Sequence, residues 1–464
     1  MQNITPCEAN TRRALPSGLA LSLLALAGLM VGHHALAQQT APSPQAQSQS
    51  QSPGNPATAP EPAAAEKPYV APATFREWTS SIKFGVQVEG GITVNPQDPR
   101  NHRNYGSLTT DSANRALLNQ ALFTVGRDVD PKATSIDIGF KLQAMYGSDS
   151  RIYQTLGVFD QVIHDRNQIS LIEANVTARI PQLFANGLDV KAGLYPTPLG
   201  LEVIDTKPNA FYSHSYIFNY GLPFKHTGVL STAHVSDLLD IYLGIDTGTN
   251  TWIAYGAGDN NNRPGGIAGF GLNLAGGKLT VLALTHIGPE NARRAVPFAN
   301  DAPRYFNDVA ITYKASDKLT LSTEFNYVRD DGFRAEAYGV ATYASYILNS
   351  AVTLNGRAEV FRDNNNFFVS NPVGDRDYIN FQRGGFSRFY TAAKPTTYSE
   401  FTAGLTYKPT WLPNWLPTWL PTLLSTGIIR PEVRYDRALN NSKPYGNGND
   451  RGAVTLAADF ILGF

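Results

Sequence analysis

The chain has 464 residues, 42% hydrophobic and only 16% charged, and its 38 basic and 38 acidic residues balance to zero net charge. That balance excludes the basic surplus of a nucleic-acid binder, and a single cysteine excludes a disulfide framework and a cysteine-built metal site. Beyond Ala37 no run of eighteen apolar residues occurs, which excludes helical membrane spans.

At the N-terminus, Arg12 and Arg13 precede an apolar run from Leu19 to Val31, and Ala35-Leu36-Ala37 supplies small residues at alternate positions. This predicts a secretory signal over residues 1–37, cleaved after Ala37 and taking Cys7 with it. Residues 38–75 are almost all Gln, Ser, Pro, Ala and Thr. Such a composition buries too little apolar area to offset chain entropy, so a disordered periplasmic tail is expected.

Alternation then organises residues 76–464. The first stretch sets Ile82, Phe84, Val86, Val88, Ile92 and Val94 against Ser81, Lys83, Gln87, Glu89 and Thr93. A later one sets Ile136, Ile138, Phe140 and Leu142 against Asp137, Lys141 and Gln143, and the next sets Ile172, Ala174, Val176, Ala178 and Ile180 against Glu173, Asn175, Thr177 and Arg179. Side chains alternate faces along a strand, so each stretch has one oily and one wet face. Sixteen such strands are predicted: 81–94, 116–127, 135–146, 168–180, 188–195, 226–235, 240–248, 265–274, 279–288, 305–314, 319–328, 336–348, 352–362, 398–408, 428–436 and 452–464. Tight turns such as Ala275–Lys278 and Ala315–Lys318 alternate with long polar loops at 95–115, 147–167, 196–225, 249–264, 289–304, 363–397 and 437–451. Short turns at one end and long loops at the other predict an all-β fold: a transmembrane antiparallel up-and-down barrel with periplasmic turns and extracellular loops.

The last strand alternates Val454, Leu456, Ala458, Phe460, Leu462 and Phe464. A terminal aromatic closing such a strand is similar to the assembly signal of outer-membrane barrels, which assigns Phe464 that role. Trp78, Tyr146, Tyr195, Tyr305, Tyr327, Tyr407 and Tyr435 fall near predicted strand ends, where amphipathic rings favour the headgroup region. Between the fourteenth and fifteenth strands a Trp-Leu-Pro-x repeat runs from Thr410 to Ser425. Proline at every fourth residue excludes a regular helix or central strand. Trp411, Trp415 and Trp419 are expected to anchor that turn at the inner-leaflet interface, with docking of a periplasmic partner as the alternative.

The run Val190-Lys-Ala-Gly-Leu-Tyr-Pro-Thr-Pro-Leu-Gly-Leu-Glu-Val203, with Phe211-Tyr-Ser-His-Ser215 and Lys225-His-Thr-Gly-Val229, resembles the OmpL-like β-barrel porins of Gram-negative outer membranes. The likeness is sharp over residues 190–230 and implies fold and location more than substrate. The 196–225 loop is expected to fold inward and narrow the lumen, with Glu202, Asp205, Lys207 and His214 as constriction candidates.

Charges toward lipid would cost several kcal/mol near the midplane, so the polar face is assigned to a wet lumen. The lining candidates are Lys83, Gln87, Glu89, Asp137, Lys141, Glu173, Arg179, Asp189, Lys191, Glu324, Arg357, Glu359, Glu400, Arg430, Glu432, Arg434 and Asp459. Both signs are represented, which implies a passive diffusion channel for small hydrophilic solutes or ions with weak charge selectivity. The alternative is a barrel platform presenting long loops as an adhesin or binding protein. Histidines 102, 164, 214, 226, 234 and 286 show no His-x-x-x-His spacing, and Ser213-His214-Ser215 alone defines no catalytic triad. Neither an enzyme, a metal site nor a cofactor is expected. The implied partners are outer-membrane lipids, the barrel-assembly machinery and the solutes themselves; both a monomer and a homotrimer fit.

Overall fold

The computed structural model describes residues 75–253, 258–295, 301–409 and 426–463. The predicted signal, most of the predicted tail, Trp411, Trp415, Trp419 and Phe464 lie outside the described residues.

A short helix α1 (Phe75–Ser80) leads into β1 (Lys83–Val94), β2 (Ala116–Arg127), β3 (Asp137–Gly147), β4 (Gln168–Ile180), β5 (Leu188–Pro196), β6 (Lys225–His234), β7 (Leu239–Thr249), β8 (Gly265–Leu274) and β9 (Leu279–Pro289). Then come β10 (Pro303–Lys314), β11 (Leu319–Asp330), β12 (Ala335–Ile347) and β13 (Val352–Asp363). A loop carrying a small hairpin of β14 (Ser370–Pro372) and β15 (Phe389–Thr391) precedes β16 (Thr396–Tyr407), β17 (Ile428–Ala438) and β18 (Gly452–Gly463). Sixteen of these strands pair antiparallel with their neighbours, and β18 closes on β1 with Gln87 opposite Gly463 and Val94 opposite Leu456. Closure leaves no unpaired edge, the condition a sheet must meet in hydrocarbon. Every barrel strand begins and ends within two residues of its predicted range.

The wall's two faces follow the alternation. Phe84, Phe123, Leu243, Phe325, Phe401 and Leu456 are exposed on the outside. The positions between them, such as Glu89, Asn119, Glu324, Arg357 and Glu400, are buried inside. An apolar outer band around a charged interior inverts a water-soluble protein and suits a lipid surround. The α1 helix lies against that band at the short-turn end: the Trp78 indole N–H donates to the Ile138 carbonyl at 2.8 Å and its ring stacks on Phe140 at 5.9 Å.

Three register shifts interrupt the ladder, one of them in β6 between His226 and Gly228, and the other two break strict alternation. The β1–β2 register shifts at Glu89/Gly90, so the consecutive residues Asn119 and Gln120 are both fully buried. The β3–β4 register shifts at Gln143/Ala144, and Ile172, expected on the lipid face, is instead buried in the core. An extra residue in one strand reverses facing locally, which simple parity does not foresee. Tyr195 is a second correction: it sits not in an interfacial girdle but buried with Leu230 and Ile267, its ring 6.0 Å from His226.

Candidate functional site

The segment between β5 and β6, residues 197–224, runs through the barrel interior. Pro196 and Pro198 flank its start, where a missing N–H ends strand pairing. Gly200 has φ +91°, and a Cβ there would fall 2.3 Å from Leu222, so the entry turn needs glycine. Further on, Tyr216, Ile217, Phe218, Leu222 and Phe224 pack with Tyr153, Val328 and Phe361 into an apolar core inside the barrel.

An irregular chain in a dry interior must find partners for its backbone N–H and C=O groups. The wall supplies them. Glu432 accepts from the N–H groups of Tyr212 (2.9 Å) and Ser213 (3.2 Å), Glu359 from Tyr216 (2.6 Å) and Ile217 (2.8 Å), and Asp308 from Gly200 (3.2 Å). Conversely, Arg430 donates to the carbonyls of Thr206 and Asn209, each at 2.7 Å, and Arg434 to that of His214 at 2.6 Å. Arg357 is the densest node: it donates to the Ser213 carbonyl (2.9 Å), to Glu202 (2.7 Å) and to Glu400 (3.1 Å), with the Phe211 ring 5.1 Å away.

The predicted lining residues thus divide into two groups. Glu89, Glu324, Arg357, Glu359, Glu400, Arg430, Glu432, Arg434 and Asp459 are buried at or near the inserted segment. Their setting corrects the expectation of a wet lumen at that level, because protein fills the bore there; the side chains of Arg357 and Glu400 are 0% exposed. Arg430 also bonds Asp459 and Glu89, linking β17, β18 and β1 across the closing seam, and Arg434 pairs with Asp436 at 2.8 Å. The second group lies toward the short-turn end. Lys141 pairs with Glu173 at 2.6 Å, Arg127 with Asp137 at 2.8 Å and Arg179 with Asp189 at 3.0 Å; Lys191 is half-buried and Lys83 exposed at the rim.

On the segment itself, Glu202 receives His214 Nδ1 at 2.8 Å, and Asp205 accepts from Gln87 at 2.8 Å. Lys207 is exposed. Burial raises the Glu202 pKa, but the Arg357 guanidinium and the His214 imidazole outweigh it and hold the carboxyl at about 2. Ser215 Oγ accepts from the Phe218 N–H, and among the described residues no hydroxyl bonds to His214, so no nucleophile–base pair forms. Asp308 and Asn326, which bind the two feet of the segment, escaped the sequence reading although their inward parity and direct pairing were available as signals.

Cavities lie on both sides of the segment. At the long-loop end one of about 560 Å³ is lined by Arg103, Tyr105, Tyr390, Lys394 and Lys443. A smaller one of about 20 Å³, sharing Arg103 and Tyr105 with it, reaches inward to Ser213, Glu432 and Arg434. At the short-turn end about 400 Å³ is bounded by Gln87, Thr124, Gln143, Asp205 and Lys207. Beside the segment, a further cavity of about 270 Å³ is lined by Tyr220, Phe306, Phe367, Tyr378, Phe381 and Glu290. Separately, His226, Asp246 and His286 converge in the wall, a grouping that no short spacing in the sequence announces.

The family model described as "Putative beta-barrel porin-2, OmpL-like" matches residues 81–464. No curated protein matches the chain. Among solved structures, the outer membrane channel DcaP of Acinetobacter baumannii is similar over 82% of this chain and 97% of its own, at 13% identity and a TM-score of 0.50. The anion-selective porin from Comamonas acidovorans is similar over 83% and 99%, at 8% identity and a TM-score of 0.49. OprB of Pseudomonas putida is similar over 84% and 96%, at 12% identity and a TM-score of 0.49. At these identities the likeness is one of fold.

Proposed function

Because the chain belongs to the OmpL-like β-barrel porin-2 family, we propose that it is an outer-membrane porin with a strongly constricted lumen, passing small hydrophilic solutes or ions by passive diffusion. The observation that carries this reading is the inserted segment itself: a loop bonded to the opposite wall, with cavities on either side. Such a loop sets the width of a bore that sixteen strands alone would leave wide. Acidic and basic groups face one another around it, which supports weak rather than strict charge selectivity. No cofactor or energy source enters a diffusion mechanism. The apolar outer band meets membrane lipid, and Phe464 is the residue offered to the assembly machinery.

The dryness of the ion-pair network supports a second reading, in which the barrel is plugged and serves as a platform for its long loops. Single-channel recording in a planar bilayer separates the two. The refolded full-length protein should give small, resolvable steps, and deleting residues 201–214 should enlarge them. A folded barrel that passes no current in either form would favour the platform.

A further inference from the structure

Three side chains with no part in the constriction meet near the long-loop ends of β6, β7 and β9. His226 is the second residue of β6, Asp246 lies late in β7, and His286 lies late in β9; their side chains are all 0% exposed. Asp246 Oδ2 is 3.2 Å from His226 Nδ1, and Asp246 Oδ1 is 3.1 Å from His286 Nε2. One donor atom from each of the three lies within 4.8 Å of the others.

An ordinary hydrogen-bonded cluster would account for only half of this. His286 Nε2 bonds Asp246, yet His226 Nδ1 and Asp246 Oδ2 make no hydrogen bond with any described residue despite their proximity. Two fully buried donor atoms held 3.2 Å apart without an aligned hydrogen bond between them are placed as ligands to a common cation would be. Four-coordinate zinc with bonds of about 2.0–2.2 Å sets adjacent donor atoms roughly 3.3 Å apart, near the 3.1 and 3.2 Å between the Asp246 oxygens and their respective imidazole nitrogens.

The outer nitrogens point the same way. His226 Nε2 is 3.1 Å from Thr197 Oγ1, and His286 Nδ1 faces Glu290 Oε1 at 3.8 Å, both of the latter atoms lacking a hydrogen bond. Metal-bound histidines characteristically hand their second N–H to such an oxygen, which fixes tautomer and ring orientation. The wall also keeps room. Gly265 opens β8, between β7 and β9, and a Cβ at that position would lie 2.7 Å from both Asp246 Oδ1 and His286 Nε2. The charges close as well, since one dication with Asp246 and Glu290 sums to zero around two neutral imidazoles. Nearby, Phe306 and Tyr195 give the group apolar neighbours.

We propose that His226, Asp246 and His286 bind one divalent transition-metal ion of the zinc class, with Thr197 and Glu290 orienting the imidazoles and a fourth coordination position left to a ligand other than these side chains. The site would clip three wall strands together. It would also hold Thr197, the first residue of the inserted segment, against the wall. This inference does not depend on whether the lumen conducts.

The test uses the full-length refolded barrel, stripped with chelator and titrated with Zn²⁺ or Co²⁺ alone. One zinc per barrel should survive desalting, and Co²⁺ should give visible bands of a low-coordinate histidine–carboxylate site that Zn²⁺ bleaches. His286→Ala and Asp246→Asn should abolish stoichiometric binding. Glu290→Gln should weaken it by roughly 10–100-fold. Gly265→Ala, which keeps every ligand but intrudes on the space between two of them, should also lose it, whereas His234→Ala, on β6 but bonded to Asp189 and Asp240, should bind as wild type. Wild-type protein that retains no stoichiometric zinc and shows no Co²⁺ bands would overturn the site whatever the variants do. So would unchanged binding in folded His286→Ala and Gly265→Ala.

Discussion

Replacing Arg357 by alanine should unlock the constriction. That guanidinium bonds Glu202, Glu400 and the Ser213 carbonyl within a setting from which water is excluded, tying the inserted segment to β13 and β16. Truncation leaves two buried carboxylates and one carbonyl short of a donor, and removing one member of a buried ion pair costs about 3–5 kcal/mol. The sixteen-strand ladder of backbone bonds is untouched, so the cost falls mainly on the closed position of the segment. Each 1.4 kcal/mol is a factor of about ten, which shifts closed against released states by roughly 10²–10⁴-fold. Planar-bilayer recordings should then show larger or more frequent openings, with heat-modifiable migration verifying a folded barrel. Arg357→Lys should fall between, because an ammonium cannot fork to two carboxylates. A folded Arg357→Ala barrel whose current histogram matches wild type would refute the claim that this arginine holds the segment.

Acid should loosen the same node. Glu202 is held at about 2 in the folded protein against an ordinary 4.5, so its contribution is complete above pH 4.5 and disappears as pH falls toward 2. That difference is worth about 3 kcal/mol, and conductance recorded across this window should rise on acidification. Phe140→Arg should impair assembly, at up to about 2–4 kcal/mol for a base facing lipid, while Gln143→Arg should assemble because its side chain borders the inner cavity of about 400 Å³. Equal yields of the two heat-modifiable barrels would contradict the facing of β3. Deleting Phe464 should lower outer-membrane levels without reducing export across the inner membrane, as read by fractionation.

The strands were legible because lipid enforces period two on every one of them. Where a bulge interrupts that rule, at Ile172 and at Asn119–Gln120, parity fails for a local and physical reason. The destination of the 196–225 loop was read from a family likeness and from its aromatic content, and its depth was not readable at all. Nothing along the chain says that Glu359 and Glu432 serve backbone N–H groups far away in sequence rather than solvent. Tyr195 shows a similar blindness, since a strand-end tyrosine reads as interfacial until its neighbours are known. His226, Asp246 and His286 stood in plain view as residues, but only the pairing of β6 through β9 makes them neighbours.

The bond from Arg430 to the carbonyls of Thr206 and Asn209 ties the inserted segment to the closing seam. The same guanidinium reaches Asp459 on the last strand and Glu89 on the first, so the seam's polar latch is complete only when the segment already occupies the interior. With the segment outside, Arg430 would keep Asp459 and Glu89 but exchange the two carbonyls for water in an open bore. The closing seam and the filled interior therefore share one guanidinium, and a change that dislodges the segment also takes two partners from the side chain that joins the last strand to the first.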